Sequence, residues 1–157
     1  MLIGVISDTH DHLTTIDRAI DIFDQRGVQA MIHPGDLVAP FAARQLLKYN
    51  GPIYVTYGNN DGEREGLRKI LPQIADGPLK ILMGGKKILV HHFIEWCSQS
   101  DIDEADIVIT GHTHDVVNEE QNGTLLLNPG ECCGWVNDRA TVGLLDTEAM
   151  SMEIVEL

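Results

Sequence analysis

The amino-acid sequence predicts an α/β fold in which two mixed β-sheets pack together and are flanked by helices. Two observations predict it. Up to Leu71, short apolar runs alternate with amphipathic segments, a pattern that favours parallel strands joined by crossover helices. After Pro72, apolar runs follow one another across short turns, which indicates a strand-rich second half. No repeat, low-complexity tract or linker separates the halves, so we expect one domain over residues 1–157.

Three strand-helix units are expected in the first half. The first strand is the buried run LIGVIS, and the helix after it has apolar residues at helical spacing with Gly27 as its C-terminal stop. The three units, strand first, are 2–7 with 13–26, 30–33 with 41–49, and 53–57 with 62–71. Strands in such units pair in parallel, so their carboxyl ends meet at one edge of the sheet.

The second half is expected to form strands joined by turns. A Gly84-Gly85 turn joins residues 79–83 and 87–90 in a hairpin, and Gln121-Asn122-Gly123 forms another turn. The remaining expected strands are 107–110, 116–119, 124–127, 140–145 and 150–155. These strands are numerous enough to build the second sheet of the sandwich.

Composition excludes several classes of protein. The formal net charge of −13 leaves no broad basic face for nucleic-acid phosphates, so we expect no general nucleic-acid binding. The apolar runs are far shorter than the ~20 residues of a membrane span, and no basic region follows Met1. We therefore expect a cytoplasmic protein without a membrane segment. Three cysteines without a C-x-x-C spacing indicate reduced thiols rather than a disulfide framework or a zinc ribbon.

Polar residues of metal-binding type follow five of the expected strands. The segments are Asp8-Thr9-His10, Gly35-Asp36, Gly58-Asn59-Asn60-Asp61, His91-His92 and Gly111-His112-Thr113-His114. Each segment alone has an ordinary explanation as a helix cap, a turn or a hydrogen-bonded core histidine. Together they bring carboxylates and imidazoles to one crevice, where unpaired buried charge is costly unless cations satisfy it. We therefore expect these side chains to hold a pair of divalent metal ions.

The order of these motifs, D-x-H, G-D, G-N-x-D, H and G-H-x-H, resembles that of the calcineurin-like metallophosphoesterases over residues 7–114. The opening ISDTH and the NPG at residues 128–130 are similar to those of the small single-domain phosphodiesterase group. The resemblance implies a four-layer αββα sandwich. It also implies phosphodiester hydrolysis of a small-molecule substrate by a hydroxide that bridges two metal ions.

The resemblance further implies a ligand set for each ion. One ion would be held by Asp8, His10 and His114, the other by Asn59, His91 and His112, with Asp36 bridging them. Oxygen and imidazole ligands without thiolate suit manganese, iron, cobalt, nickel or zinc, and manganese is the ion we expect. Relatives in this group are often dimers or tetramers, so the resemblance implies a homo-oligomer.

The sequence departs from the family pattern at two positions. Many members have a histidine after the ligating asparagine, whereas this chain has Asn60, which has no titratable proton to give to a leaving group. The fourth motif usually reads H-G-H, whereas this chain reads His91-His92-Phe93. We align His91 as the ligand, although a slip of one residue would exchange it with His92. Asn60, Asp61 and His92 are the candidate catalytic residues, with Asp61 as a support for a ligand. His92 is either a substitute acid or a partly solvated surface residue.

Other interpretations of the same pattern remain. A protein-binding scaffold of this fold without catalysis, like the retromer subunit, is the main alternative, and a metal-storage protein is another. Trp96 and Trp135 are interpreted as packing residues by default, or else as an interface or a substrate wall. Arg64 is the nearest candidate to bind extra negative charge on a substrate, and His33, inside a strand, is expected to be structural.

Overall fold

Two five-stranded mixed sheets carry the fold, as the sequence predicts. A computed structural model describes residues 1–157. The strands are β1 (Leu2–Val5), β2 (Ala30–His33), β3 (Ile53–Val55), β4 (Leu79–Met83), β5 (Lys86–Val90), β6 (Ile107–Ile109), β7 (Val116–Gln121), β8 (Thr124–Pro129), β9 (Thr141–Asp146) and β10 (Ser151–Glu156). The helices are α1 (Leu13–Arg26), α2 (Pro40–Leu46), α3 (Arg64–Ile70) and α4 (Gln99–Asp103), with a 3₁₀ helix at Ile94–Trp96.

The strand order brings the predicted polar segments to one edge of each sheet. The first sheet has the order β10-β9-β1-β2-β3, in which β1, β2 and β3 are parallel. The second has the order β4-β5-β6-β8-β7, in which β5, β6 and β8 are parallel. The segments after β1, β2 and β3 therefore emerge together, as do those after β5 and β6.

Alternation along the strands divides the core into two layers. Ile3 and Val5 of β1 face Ile88 and Val90 of β5 in a cluster of buried residues between the sheets. The opposite face of the first sheet packs on α1 and α2 through a second buried cluster that contains Phe23. These two layers fix the sheets, and with them the edge where the polar segments emerge.

Gly4 allows the first helix to lie close to the sheet. A Cβ atom at this position would come within 2.7 Å of the Phe23 ring, which is fully buried. The helix that carries this ring begins after His12, whose Nδ1 accepts a hydrogen bond from the Thr15 N–H, and ends at Gly27 in the left-handed conformation. The predicted bounds of this helix are confirmed.

Most differences from the predicted elements lie at their ends. Helix α2 ends at Leu46 rather than at residue 49, and the strands differ by two residues or fewer. The 3₁₀ helix and α4 were not predicted, because segments of three and five residues are too short to show a helical period. None of the helices combines the length and the apolar character needed to cross a membrane.

The contact between Phe23 and β1 predicts the effect of a cavity at this position. We expect Phe23→Ala to lower the free energy of unfolding by about 3–5 kcal/mol, because the ring is fully buried. Urea titration followed by circular dichroism measures the change. Leu47→Ala is the control, since Leu47 is 52% exposed and its loss should cost less than about 0.5 kcal/mol. Equal losses in both variants would contradict this description of the core.

Candidate metal centre

The polar segments form a cleft in which much of the backbone is left-handed. Positive φ angles occur at Asp8 (50°), His10 (40°), Asp36 (64°), His112 (69°) and His114 (63°). Residues other than glycine adopt this region at a cost, and they do so mostly where function or surrounding structure requires it. Each strand thus ends in a sharp turn that directs side chains into the cleft instead of continuing the sheet.

Asp8 lies at the bottom of the cleft and faces two imidazoles. Its side chain is fully buried, and its Oδ1 is 3.5 Å from Nε2 of His114 and 3.9 Å from Nε2 of His10. The Ser7 hydroxyl donates to Asp8 Oδ2 at 2.5 Å, and the backbone N–H of His112 donates to the same oxygen at 3.1 Å. Oδ2 thus receives the two shorter hydrogen bonds, while Oδ1, 3.3 Å from the His112 N–H, faces the two imidazoles.

Asp36 lies between two groups of imidazoles. Its Oδ2 is 3.5 Å from Nε2 of His10 on one side and 3.4 Å from Nε2 of His92 on the other. Burial acts to raise the pKa of this carboxyl, but His92 and Asn60 outweigh it and hold the pKa well below its usual range. The carboxylate is therefore ionised and available to both sides of the cleft.

Asn59 is approached by two ring nitrogens at a single oxygen. Nε2 of His92 lies 2.9 Å from Asn59 Oδ1, and Nδ1 of His112 lies 3.0 Å from it. Nδ1 of His92 faces the carbonyl oxygen of Pro34 at 3.1 Å, so it must donate its proton there. Without a metal ion, Nε2 donates to Asn59 and Asp36; in the neutral ring that a metal ion would bind, the Nε2 lone pair faces the same region as these oxygens. Lone pairs that converge in this way are the arrangement a cation requires.

The hydrogen-bond and ion-pair partners of these side chains also fit a site for divalent metal ions. His10 Nε2 is buried and has no hydrogen-bond partner, although buried polar atoms are nearly always paired. The ion-pair partners of Asp8 and Asp36 are all histidines, with no lysine or arginine among them. Three groups of potential ligand atoms each lie within 4.8 Å of one another. Two contain Asp8, namely Asp8 with His10 and His114, and Asp8 with Asp36 and His92; the third joins His114 to Glu131 and Cys133. The cleft thus contains oxygen and nitrogen atoms that can bind a metal ion, and no lysine or arginine pairs with its two carboxylates.

The structure brings six of the seven expected ligands to this cleft and leaves out His91. His92 lies beside Asp36 and Asn59, whereas His91 turns away, and its Nδ1 accepts from the Phe93 N–H at 3.0 Å. Side-chain alternation explains the difference. Val90 faces the other sheet, so His92 faces the same way, and His91 between them faces the opposite side, where it is buried against Gly77. We infer from these contacts that His92, rather than His91, belongs to the cluster.

The other two candidate residues hold Asp36 in place. Asn60 donates from its backbone N–H to Asp36 Oδ1 at 2.8 Å and from its side-chain amide to Oδ2 at 2.7 Å. Asp61 is buried and accepts hydrogen bonds from the backbone N–H groups of Asp36, Val38 and Gly58. Asp61 therefore stabilises the turn that carries Asp36, and Asn60 orients the carboxylate itself.

The remaining polar residues lie outside the cluster. His33 is fully buried, its Nε2 lies 3.2 Å from the Thr9 hydroxyl, and burial lowers its pKa to about 3, so it is a neutral structural residue as expected. Arg64 stacks on Tyr57 with its guanidinium carbon 4.5 Å from the ring centroid and pairs with Asp76. The positive charge of Arg64 is therefore paired with Asp76 rather than with a group in the cleft.

Glu131 is a residue that sequence reasoning missed. Its carboxylate is fully buried, and Oε2 lies 2.8 Å from Nδ1 of His114. It also accepts hydrogen bonds from the Cys133 thiol and from the backbone N–H groups of Trp135, Val136 and Asn137. Burial acts to raise the pKa of Glu131, but these donors hold it below the usual range. A carboxylate on the far nitrogen of a ligand histidine fixes its tautomer and orientation.

A signal for Glu131 existed in the sequence. It follows Asn128-Pro129-Gly130 at the end of β8, the sixth parallel strand end next to the cleft. Asn128 donates to the carbonyl of Gly111 at 2.9 Å and to the Thr113 hydroxyl at 3.1 Å, which holds the turn that carries His112 and His114. The NPG segment thus supports the cleft through its side chains as well as its backbone.

Comparison with known proteins identifies the family. Residues 1–150 match the family model of the calcineurin-like phosphoesterase superfamily domain. The chain therefore belongs to the calcineurin-like phosphoesterase superfamily, the family that the order of its motifs resembles.

Its relatives include phosphodiesterase MJ0936 from Methanocaldococcus jannaschii, which is 41% identical over 94% of each chain. The structure of an archaeal phosphodiesterase superposes with a TM-score of 0.87 at 40% identity and covers 100% of both chains. Vps29 from Chaetomium thermophilum has a TM-score of 0.73 at 14% identity and covers 100% of this chain and 94% of its own. At 14% identity, the similarity to Vps29 shows only that the two proteins share a fold.

The contact between Glu131 and His114 predicts weaker metal binding when the carboxylate is removed. We expect Glu131→Gln to lower the affinity for Mn²⁺ by about 10–100-fold, because His114 loses the partner that orients its ring. Isothermal titration calorimetry of the metal-free protein measures the affinity. Glu153→Gln is the matched control, since Glu153 pairs with Arg26 on the surface. Unchanged affinity in Glu131→Gln would contradict the orienting role.

Proposed function

We propose that this chain is a metal-dependent phosphodiesterase, one domain over residues 1–157, that hydrolyses small phosphodiesters at the cleft described above. The observation that carries the proposal is the position of Asp36, a buried carboxylate between His10 and His92 with no lysine or arginine among its ion-pair partners. Relatives named as phosphodiesterases match this chain along nearly their whole length. The chemistry of the donors and the activity of the relatives therefore support the same conclusion.

The donors divide into two ligand sets that share Asp36. One set comprises Asp8, His10, His114 and Asp36, and the other comprises Asp36, Asn59, His92 and His112. Two divalent ions held in this way would supply a nucleophile at neutral pH and neutralise charge on the phosphate. The absence of thiolate from both sets suits Mn²⁺ first, with Ni²⁺, Fe²⁺, Zn²⁺ and Co²⁺ as other ions of this class.

The protein side chains position the ester but give little help to the leaving group. The amide of Asn60 is engaged with Asp36, and no side chain with a titratable proton replaces the histidine that other members have at this position. Hydrolysis forms a bond from the oxygen of water to phosphorus and breaks the ester bond, so the departing oxygen leaves as an anion or takes a proton from solvent. The enzyme should therefore prefer esters of acidic alcohols.

The charge of the cleft favours diesters over monoesters. A monoester carries a second negative charge, and Arg64, the nearest candidate to bind it, is engaged with Tyr57 and Asp76. Asp8, Asp36 and Glu131 add negative potential around the cluster instead. The monoanionic diester is the better match for the charge that two divalent ions supply beside these carboxylates.

We further propose that the protein is a homo-oligomer, either a dimer or a tetramer, in the cytoplasm.

Hydrolysis of bis(p-nitrophenyl) phosphate tests the function. With Mn²⁺ added, we expect turnover by the wild-type protein, and in Asp36→Asn or His112→Ala a loss greater than the about 10–100-fold that removal of a supporting residue costs. Release of p-nitrophenolate, followed by absorbance, measures the rate, and chelation of the metal should abolish it. Undiminished turnover in these variants would refute the assignment. If the wild-type protein shows no turnover but binds a partner protein, the result would favour the non-catalytic scaffold.

The placement of His92 gives a separate prediction about metal content. We expect wild-type protein to bind two Mn²⁺ ions per chain and His92→Ala to bind one tightly, because the second set loses a nitrogen ligand. His91→Ala is the matched control one residue away, and it should still bind two ions since its ring lies outside the cluster. Metal analysis after dialysis measures the ratio. The reverse result, with loss in His91→Ala alone, would restore the alignment based on sequence.

A further inference from the structure

Two aromatic rings extend the wall of the cleft beyond His112. The ring centroid of Phe93 lies 4.0 Å from that of His112. The ring of Trp96 stacks on Phe93, with centroids 4.4 Å apart and planes 26° apart. We refer to Phe93 and Trp96 as the aromatic shelf. The shelf begins in contact with a proposed metal ligand and continues away from it.

The shelf is exposed and yet held in position. Trp96 is 67% exposed, so burial in the core does not account for it. The Phe93 N–H donates to His91 Nδ1 at 3.0 Å, and the ring of His91 lies 5.8 Å from that of Trp96. The orientation of His91, away from the cluster, thus supports the shelf from behind. An exposed ring that is fixed in advance loses little freedom when another ring stacks on it.

The aromatic shelf arises where this chain departs from the usual H-G-H motif. With His92 in the cluster, Phe93 occupies the position at which the usual H-G-H motif has glycine. A glycine would leave bare backbone beside His112, whereas Phe93 supplies a ring that reaches Trp96. The substitution therefore changes the surface that a substrate meets at this side of the cluster.

The second tryptophan lies on another side of the same cluster. The chain has two tryptophans, and the ring of Trp135 is 62% exposed and 6.1 Å from that of His10. Both tryptophans therefore flank the proposed metal ligands, one at each ligand set. A surface for contact with another copy of the chain would not require this relation to the cluster, whereas a substrate wall does.

We propose that the aromatic shelf binds a planar aromatic ester group of the substrate and so makes the site selective for aryl or nucleoside phosphodiesters over alkyl ones. The inference rests on the proposed function. A phosphate bound at the cluster would place one ester group beside His112, where Phe93 and Trp96 follow. Stacking on such rings tolerates any planar ring system, since it does not read hydrogen-bonding groups.

Three diesters with the same leaving group test the selectivity. They are the methyl, phenyl and thymidine 5′ esters of p-nitrophenyl phosphate, and release of p-nitrophenolate measures kcat/KM for each. Because the leaving group is constant, the differences report the retained ester group. We expect the wild-type protein to prefer the phenyl or thymidine ester to the methyl ester by about tenfold. A preference for phenyl points to an aryl ester, and one for thymidine to a nucleoside.

Variants of the shelf separate stacking from folding. We expect Trp96→Ala to remove most of the preference and to change kcat/KM for the methyl ester less than about twofold, and Trp96→Phe to restore it. Leu82→Ala should keep the full preference, since Leu82 is exposed and pairs with Lys87 at the end of β5 that lies away from the cleft. Equal losses for all three esters, or an unchanged preference, would overturn the inference. So would a change of oligomeric state in Trp96→Ala without a change in selectivity.

Binding of the product separates this inference from the proposed function. If the wild-type protein hydrolyses none of the three diesters, the proposed function fails. Calorimetry with phenyl phosphate and methyl phosphate, in the presence of Mn²⁺, then still tests the shelf. We expect about tenfold tighter binding of phenyl phosphate in the wild-type protein and equal binding of the two in Trp96→Ala. Equal binding in the wild-type protein would overturn the inference by itself.

Discussion

The ionised carboxylate of Asp36 is the constraint on which the cleft depends. Its backbone is left-handed, its amide and that of Val38 are held by Asp61, and its oxygens are held by Asn60. Gly58 lies so close that a Cβ atom there would come within 2.1 Å of Asp36 Oδ1. The loops after β2 and β3 are thus shaped around one side chain, which the sheets cannot place by themselves.

Much of the fold and most of the cluster could be predicted from the sequence, because they depend on local patterns. Helix α1 has a clear period and a glycine stop, and parallel strands bring Asp8 and Asp36 to the same edge wherever exactly each strand ends. The motif alone favours His91, which directly follows the strand, whereas the contacts favour His92, which lies beside Asp36 and Asn59. Val90 faces the other sheet, so the parity of the strand assigns the inward position to His92.

Other features depend on contacts that no local pattern reports. Glu131 lies 17 residues from His114 in the chain, and its place after a strand end indicates proximity to the cleft but not the contact with His114. The 3₁₀ helix that presents Trp96 spans three residues, too few for a periodic signal. Default packing was therefore the natural expectation for a tryptophan, and only the tertiary arrangement shows it exposed beside His112 through Phe93.

The left-handed backbone at His112 and His114 has an evolutionary consequence. A side chain in this region costs about 1–2 kcal/mol that glycine would not. Selection for catalysis must therefore act against selection for thermal robustness at these positions. If hydrolysis were no longer selected, replacing these histidines with glycine would remove this conformational cost and stabilise the fold. The fold can therefore persist after its catalytic activity is lost.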